Sequence, residues 1–308
     1  QSLAGDEHPR PDHPAGIDLL SEYVEKLQQS CAKGVGIAST KDGRAIDMWG
    51  EKILTGAEIV RADWLVQGTT GYDFANHVMH LLVDPAAETA ITKTFHRFIG
   101  HSMPFGHLLY AKKLLVMKLA LANDVDVLGN MLDRLSEQNR WYRDFTLEAL
   151  SRAVRETIAC FPIYRTYLEP GQPVSEEDRQ IVERAIAAAK RRNPAMEESI
   201  FNFLRDVLLF RFPPNLDAAG RAAHTHFVLK FQQTTGPIMA KGLEDTLFYI
   251  YNRLTALNEV GGEPQQFGLS VDAFHERNLD RQRNWPAGLL ATSTHDTKRS
   301  EDVRARIV

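Results

Sequence analysis

Leu289-Leu-Ala-Thr-Ser-Thr-His-Asp-Thr-Lys-Arg-Ser-Glu-Asp302 opens as an apolar run of strand length and turns abruptly into a dense polar cluster. Burying so many His, Asp, Lys and Arg groups behind an apolar strand is costly unless they line a polar cleft. In α/β barrels the reactive groups stand at the C-terminal ends of the strands. A blander reading stays open, because Thr294 or Asp296 could cap the first turn of a charged helix.

Working back along the chain, the middle is strongly helical. Residues 104–122, 125–138 and 146–160 carry apolar residues at helical spacing, the first with Pro104 near its first turn. Ser175-Glu-Glu-Asp178 reads as a capping box opening a helix through Arg191, and two more helices are expected over 197–210 and 218–233. Phe161–Leu168 is aromatic and β-branched and reads as a strand. Residues 234–246 read as loop and Leu247–Leu257 as a helix. Towards the N-terminus, residues 17–29 read as a helix, 33–44 as loop and 45–54 as a short strand running into loop. Thr69–Gly71 is a turn signal, with a helix from about Asp73.

The pattern of strand, helical block and strand implies an α/β fold: a partial (β/α)8 TIM barrel with a large, mainly helical insertion, rich in helix overall. The expected division is 1–80, 81–235 and 236–308. Proline-rich residues before 17, and an apparent helix still running at Val308, suggest a piece of a larger protein.

Composition excludes several classes. The 308 residues carry 36 basic and 40 acidic side chains, a net charge of -4, so bulk attraction to nucleic acid or an anionic membrane is not expected. No apolar run is long enough to span a bilayer. Cys31 and Cys160 offer neither a disulfide framework nor metal spacing, and suit a reducing cytoplasm. No cofactor motif or metal-ligand set is evident.

Three other segments concentrate polar groups: Arg10-Pro-Asp-His13, Glu51-Lys-Ile-Leu54 with Gly68-Thr-Thr-Gly-Tyr-Asp73, and Ala240-Lys-Gly-Leu-Glu-Asp245. Taken singly, Glu51 and Lys52 could form a surface ion pair and Tyr72 could be a core aromatic. Taken in order, the segments resemble the sequence regions of the α-amylase superfamily. Three stretches, EKILTGAEIVRADWLVQGTTGYDF (51–74), QQTTGPIMAKGLEDTLFYIYNRLTALNEVGG (232–262) and LLATSTHDTKRSEDVRARI (289–307), resemble the maltooligosyl trehalose synthases more narrowly.

That resemblance implies a nucleophile at Asp12 flanked by Arg10 and His13, a general acid/base at Glu51, and a third carboxylate at Asp296 beside His295. Tyr72, Asp73, Lys241, Lys298 and Arg299 would shape the sugar subsites. The implied reaction isomerises the reducing-end α-1,4 link of a maltooligosaccharide to α,α-1,1, with functional coupling to a maltooligosyl trehalose trehalohydrolase. An α-glucan hydrolase, or an inactive paralogue binding glucan or a partner, are the rival readings. The first segment departs from the family pattern: Pro9 and Pro11 cannot donate to a sheet ladder, and Ala15 stands where the family has Asp.

Overall fold

A computed structural model describes residues 35–41, 45–55, 58–61, 64, 66–100, 102, 104–213 and 216–308. The expected helix over 17–29 and the candidate residues Arg10, Asp12 and His13 lie outside the described residues. The chain divides into two compact units, one running to Glu88 and resuming over Glu259–Val308, the other Thr89–Asn258.

The Thr89–Asn258 unit is helical: α2 (Glu88–Ile99), α3 (Phe105–Leu119), α4 (Ala122–Glu137), α5 (Leu147–Ala159), α6 (Glu176–Arg192), α7 (Glu198–Leu208) and α8 (Ala218–Met239). Each main helix buries one stripe. Val125, Leu128, Leu132 and Leu135 recur at helical spacing on α4, as do Leu150, Ala153, Val154 and Ile158 on α5. A Cβ on Gly129 would fall 2.1 Å from Ser151 Oγ, so the α4–α5 crossing requires glycine there. Thr146 and Ser175 cap α5 and α6 by accepting from Ala149 N and Asp178 N, as their positions in the sequence suggest. Full burial of side chains such as Leu128 and Phe201 stabilises by roughly 2 kcal/mol each.

Three expectations fail in this unit. Phe161–Leu168 is not a strand. Its Phe161, Ile163 and Leu168 enter the helical core, where no neighbouring strand is described. Side chains satisfy the backbone instead: Lys113 Nζ donates to Phe161 O (2.7 Å), and the Gln232 amide both donates to Leu168 O (3.1 Å) and accepts from Leu168 N (2.6 Å). Residues 234–246 are not loop, since α8 runs through Pro237 to Met239 and a wide π turn follows over Ala240–Glu244. That turn passes close to α3, where a Cβ on Gly242 would lie 3.2 Å from Lys113 Cα. Leu247–Leu257 is not one helix but two 3-10 turns, Leu247–Tyr249 and Thr255–Leu257. The buried Asn258 amide donates to both Phe248 O (2.9 Å) and Tyr251 O (2.7 Å), capturing carbonyls that a continuous helix would need.

In the other unit, β1 (Val35–Lys41) and β2 (Ala45–Gly50) form an antiparallel pair. Residues 35–41 were expected as loop; pairing with β2 overrides their Gly- and polar-rich composition. Past β2 the backbone meets a second segment in parallel fashion, with Gly50 N donating to Gly68 O (2.8 Å) and Thr70 N to Gly50 O (3.2 Å). A third segment joins through Leu289 N to Thr69 O (3.2 Å). Among the described residues this unit holds only that two-stranded sheet and one isolated parallel bridge, so the expected partial barrel is not seen. Leu289–Thr294 is accordingly not a strand, its ladder being limited to the single bond from Leu289. Helices α1 (Tyr72–Leu82), α9 (Val271–Asn284) and α10 (Glu301–Arg306) complete the unit. The first begins where the turn at Thr69–Gly71 suggests; the second has no buried residue and therefore no apolar stripe to read.

Replacing Gln232 by Leu leaves the amide and carbonyl of Leu168 buried and unpaired. The expected loss is about 3 kcal/mol of unfolding free energy, read from urea titration.

Candidate active site

Two close glycine approaches shape the site. Gly68 has φ +141° and Gly71 φ +92°. A Cβ on Gly71 would meet Leu289 O at 2.7 Å and Ala291 N at 2.8 Å, and one on Gly68 would meet Gly288 Cα at 2.8 Å. Only glycine lets the 68–71 turn lie this close to 288–291 while holding positive φ. Trp49 adds a clamp, its indole N–H donating to Ala287 O (2.7 Å). The residues that leave these joined segments are Glu51, Tyr72 and the polar run 292–299.

There the side chains converge. His295 Nε2 lies 3.1 Å from Glu51 Oε1 and 3.5 Å from Asp296 Oδ2. The buried Tyr72 donates its hydroxyl to Asp296 Oδ2 (3.2 Å). Burial, reinforced by the facing Asp296 carboxylate, pushes the Tyr72 phenol well above its ordinary range, so it stays a donor. Tyr72 is thus both a core aromatic and a site residue. Glu51 and Asp296 keep 36% and 54% of their side-chain surface exposed, enough to reach a ligand. One ligand atom from each of Glu51, His295 and Asp296 falls within 4.8 Å of the others, a spacing that could also accept a cation. All three groups are exposed, and Asp296 already takes the buried Tyr72 hydroxyl as a partner.

The loop carrying His295 and Asp296 is not the start of a charged helix: α10 begins only at Glu301, after Ser300. The loop is tied by its own hydroxyls, with Asp296 N donating to Thr294 Oγ1 (3.3 Å) and Thr297 Oγ1 to Thr294 O (2.8 Å). It is anchored from beneath by Glu259, a buried carboxylate the sequence reading did not single out. Glu259 accepts from Lys298 N (2.6 Å), Arg299 N (3.1 Å) and Val260 N (2.9 Å), with Arg304 Nε at 3.8 Å. Lys298 and Arg299 therefore contribute backbone N–H groups to hold the loop. A single Glu between Asn258 and Val260 carries no periodic signal; only its place inside a mostly apolar run marks it.

The remaining candidates separate. Asp73 accepts from Thr69 Oγ1 (2.8 Å) and from Arg281 (2.8 Å). Burial alone would raise its carboxyl, but the Arg281 hydrogen bond and charge prevail and hold it below the usual carboxylate range. Lys52 is not part of a surface pair with Glu51; it turns inward to Glu58 Oε1 (2.6 Å), both side chains being buried. Lys241 is exposed on the π turn of the Thr89–Asn258 unit. An open pocket of about 500 Å³ adjoins the scaffold, sharing Thr69, Asp73 and Leu289 with it and walled by His77, His80 and Arg281.

Comparison with known proteins adds relatives to this geometry. No protein-family profile matches the chain. Two sequences from Mycobacterium tuberculosis strains, each named "Putative maltooligosyl trehalose synthase", are 30% identical over 298 residues, 97% of this chain and 34% of theirs. The solved maltooligosyltrehalose synthase of Arthrobacter ramosus superposes with a TM-score of 0.70 at 35% identity, over 85% of this chain and 30% of that one. A hypothetical maltooligosyl trehalose synthase of Sulfolobus tokodaii gives 0.61 at 28% identity, over 85% and 30%. The chain thus spans about a third of the length of the curated relatives it matches.

Replacing Glu259 by Ala orphans the Lys298 and Arg299 amides. Hydrogen exchange at those two positions should accelerate by one to two orders of magnitude, roughly the 1–3 kcal/mol cost of an unpaired buried group, while peptides of α4–α8 stay protected. A second expectation concerns pH. Burial, with Arg277 nearby, lowers His77 and His80 to about 4, so the unfolded chain binds more protons between pH 6.5 and 4. Their stabilising effect is complete above pH 6.5 and is lost as pH falls towards 4. Urea midpoints measured across that range should decline, and His80→Gln should make the decline shallower.

Proposed function

From the premise that this chain is homologous over nearly its whole length to maltooligosyl trehalose synthases, we propose that Glu51 and Asp296 act on one sugar of an α-glucan. In this reading the protein isomerises the reducing-end α-1,4 link of a maltooligosaccharide to α,α-1,1. The observation that carries it is the meeting of Glu51, His295, Asp296 and Tyr72, contributed by three segments distant in the chain.

The chemistry follows from the groups. Cleavage with retention needs a carboxylate nucleophile and a carboxylic acid that protonates the leaving oxygen. Asp12 is the proposed nucleophile, and it lies among residues the structure does not describe. Glu51 protonates the departing glucose, then removes the proton from that glucose's anomeric hydroxyl when it returns in a new orientation. Asp296 accepts hydrogen bonds from sugar hydroxyls, with its second partner, Tyr72, fixing where that carboxylate points. His295, whose Nε2 lies 3.1 Å from Glu51 Oε1 and 3.5 Å from Asp296 Oδ2, is placed to meet the same ring. Arg10, His13, Lys298 and Arg299 are proposed to line the subsites.

Hydrolysis by the same carboxylates is favoured by one feature: Glu51 and Asp296 are open to solvent, whereas isomerisation requires that water be kept from the glycosyl intermediate. Products separate the two. Incubated with maltopentaose, the whole protein should lose reducing ends without releasing free glucose; free glucose in proportion to turnover would establish the hydrolase. Glu51→Gln and Asp296→Asn should each lower the rate at least about a hundredfold. Unchanged glucan processing by Glu51→Gln would remove the basis of the reading.

A further inference from the structure

Within the helical unit, the turn after α4 exposes Trp141, with 73% of its surface in water. Large aromatic surfaces left open in this way mark binding sites when polar groups surround them. Arg140 lies over the indole at 4.7 Å from the ring centre, stiffening it. Trp141 stands at the rim of a pocket of about 710 Å³ between this turn, the end of α7 and the first turns of α8.

The pocket's polar groups suit a neutral, many-hydroxyl ligand. Asp206 Oδ1 takes Arg205 and Arg211, leaving Oδ2 as an acceptor, and Arg211 also reaches Glu183 at 3.6 Å. Asp206 and Glu183 thus pair with the arginines beside them, while Arg140 is held over the indole. Tyr142 adds a ring stacked on Phe145 and packed on Phe203. The floor supplies an independent sign. His224 is 3% exposed, burial holds it below its ordinary range and so neutral, and its Nδ1 has no hydrogen-bond partner. Such a nitrogen has lost its water without recompense; it is closed to solvent, so a hydroxyl reaches it only when the side chains above it shift. Phe212 stands edge-on to the same imidazole at 5.7 Å.

We propose that this pocket is a second saccharide-binding site, in which the apolar face of a pyranose stacks on Trp141 while its hydroxyls bond Asp206 and His224. Its ligand is a stretch of α-1,4-glucan; the choice of that glucan among neutral saccharides rests on the function proposed above. The site holds a polymeric substrate by a segment other than the one being converted, raising the local concentration of chain ends.

The test is retention of the whole protein in native gels containing amylopectin, with Glu51→Gln as the background so that the polymer is not processed. Retention is expected, and Trp141→Ala should weaken it about tenfold, as for loss of an aromatic anchor. His224→Phe should weaken it less, and thermal unfolding should report both variants folded. Equal retention of the Trp141→Ala protein, or none by the background protein, overturns the proposal. Dextran gels in place of amylopectin should give no Trp141-dependent retention; if they do, the α-1,4 assignment is wrong. Trp141-dependent retention by a protein inert on maltopentaose would uphold this site and sink the catalytic reading, while the converse pair of results would do the opposite.

Discussion

The candidate site depends on a short row of backbone hydrogen bonds in which Gly50, Gly68–Thr70 and Leu289 lie side by side. None of the bonds is strong alone, at about 1 kcal/mol net. Their effect is positional, because each segment ends at the same level and releases its polar residues on one side. Glycine at 68 and 71 is what allows the approach, since side chains at either place would collide with the backbone of 288–291. Glu51, Tyr72 and Asp296 need no direct sequence relationship; they meet because their backbones are aligned just before them.

Two carboxylates, Asp73 partly buried and Glu259 fully, then hold what the backbone has brought together. Asp73 ties α1 to α9 through Arg281, and Glu259 gathers the amides of Lys298 and Arg299 beneath the His295–Asp296 loop. Their chemistry is the same as that of Glu51 and Asp296, but burial commits them to partners inside the fold. Exposure leaves Glu51 and Asp296 able to exchange partners with a ligand. Position in the solvent gradient, more than residue type, separates anchoring acids from those available for reaction.

The sequence was most legible where one helix face is apolar. The stripes of α4 and α5 and the Ser175 cap on α6 stand in the order that periodicity implies. It misled at β1, expected as loop, whose glycine and polar residues become strand against the neighbouring β2. It misled at Phe161–Leu168, because β-branched and aromatic residues report a need for burial and do not say whether sheet or helices will supply it. The pairing of Glu51 with Asp296 was visible through the resemblance of whole segments, not through any pattern of spacing. Glu259 and α9 escaped notice for opposite reasons: one is a single acid inside an apolar run, the other a mostly polar helix with no buried residue.

The side chain of Gln232 has a consequence for how this protein ages. It serves Leu168 as a strand would, giving an oxygen to one backbone group and a nitrogen to the other. Glutamate has nearly the same shape but only acceptors, so it would set a negative charge against Leu168 O in the middle of a helical core. Hydrolysis of this one amide, a change of a single atom group, would turn a tie into a repulsion. The helical unit therefore carries an internal point at which slow chemical damage would lower its stability.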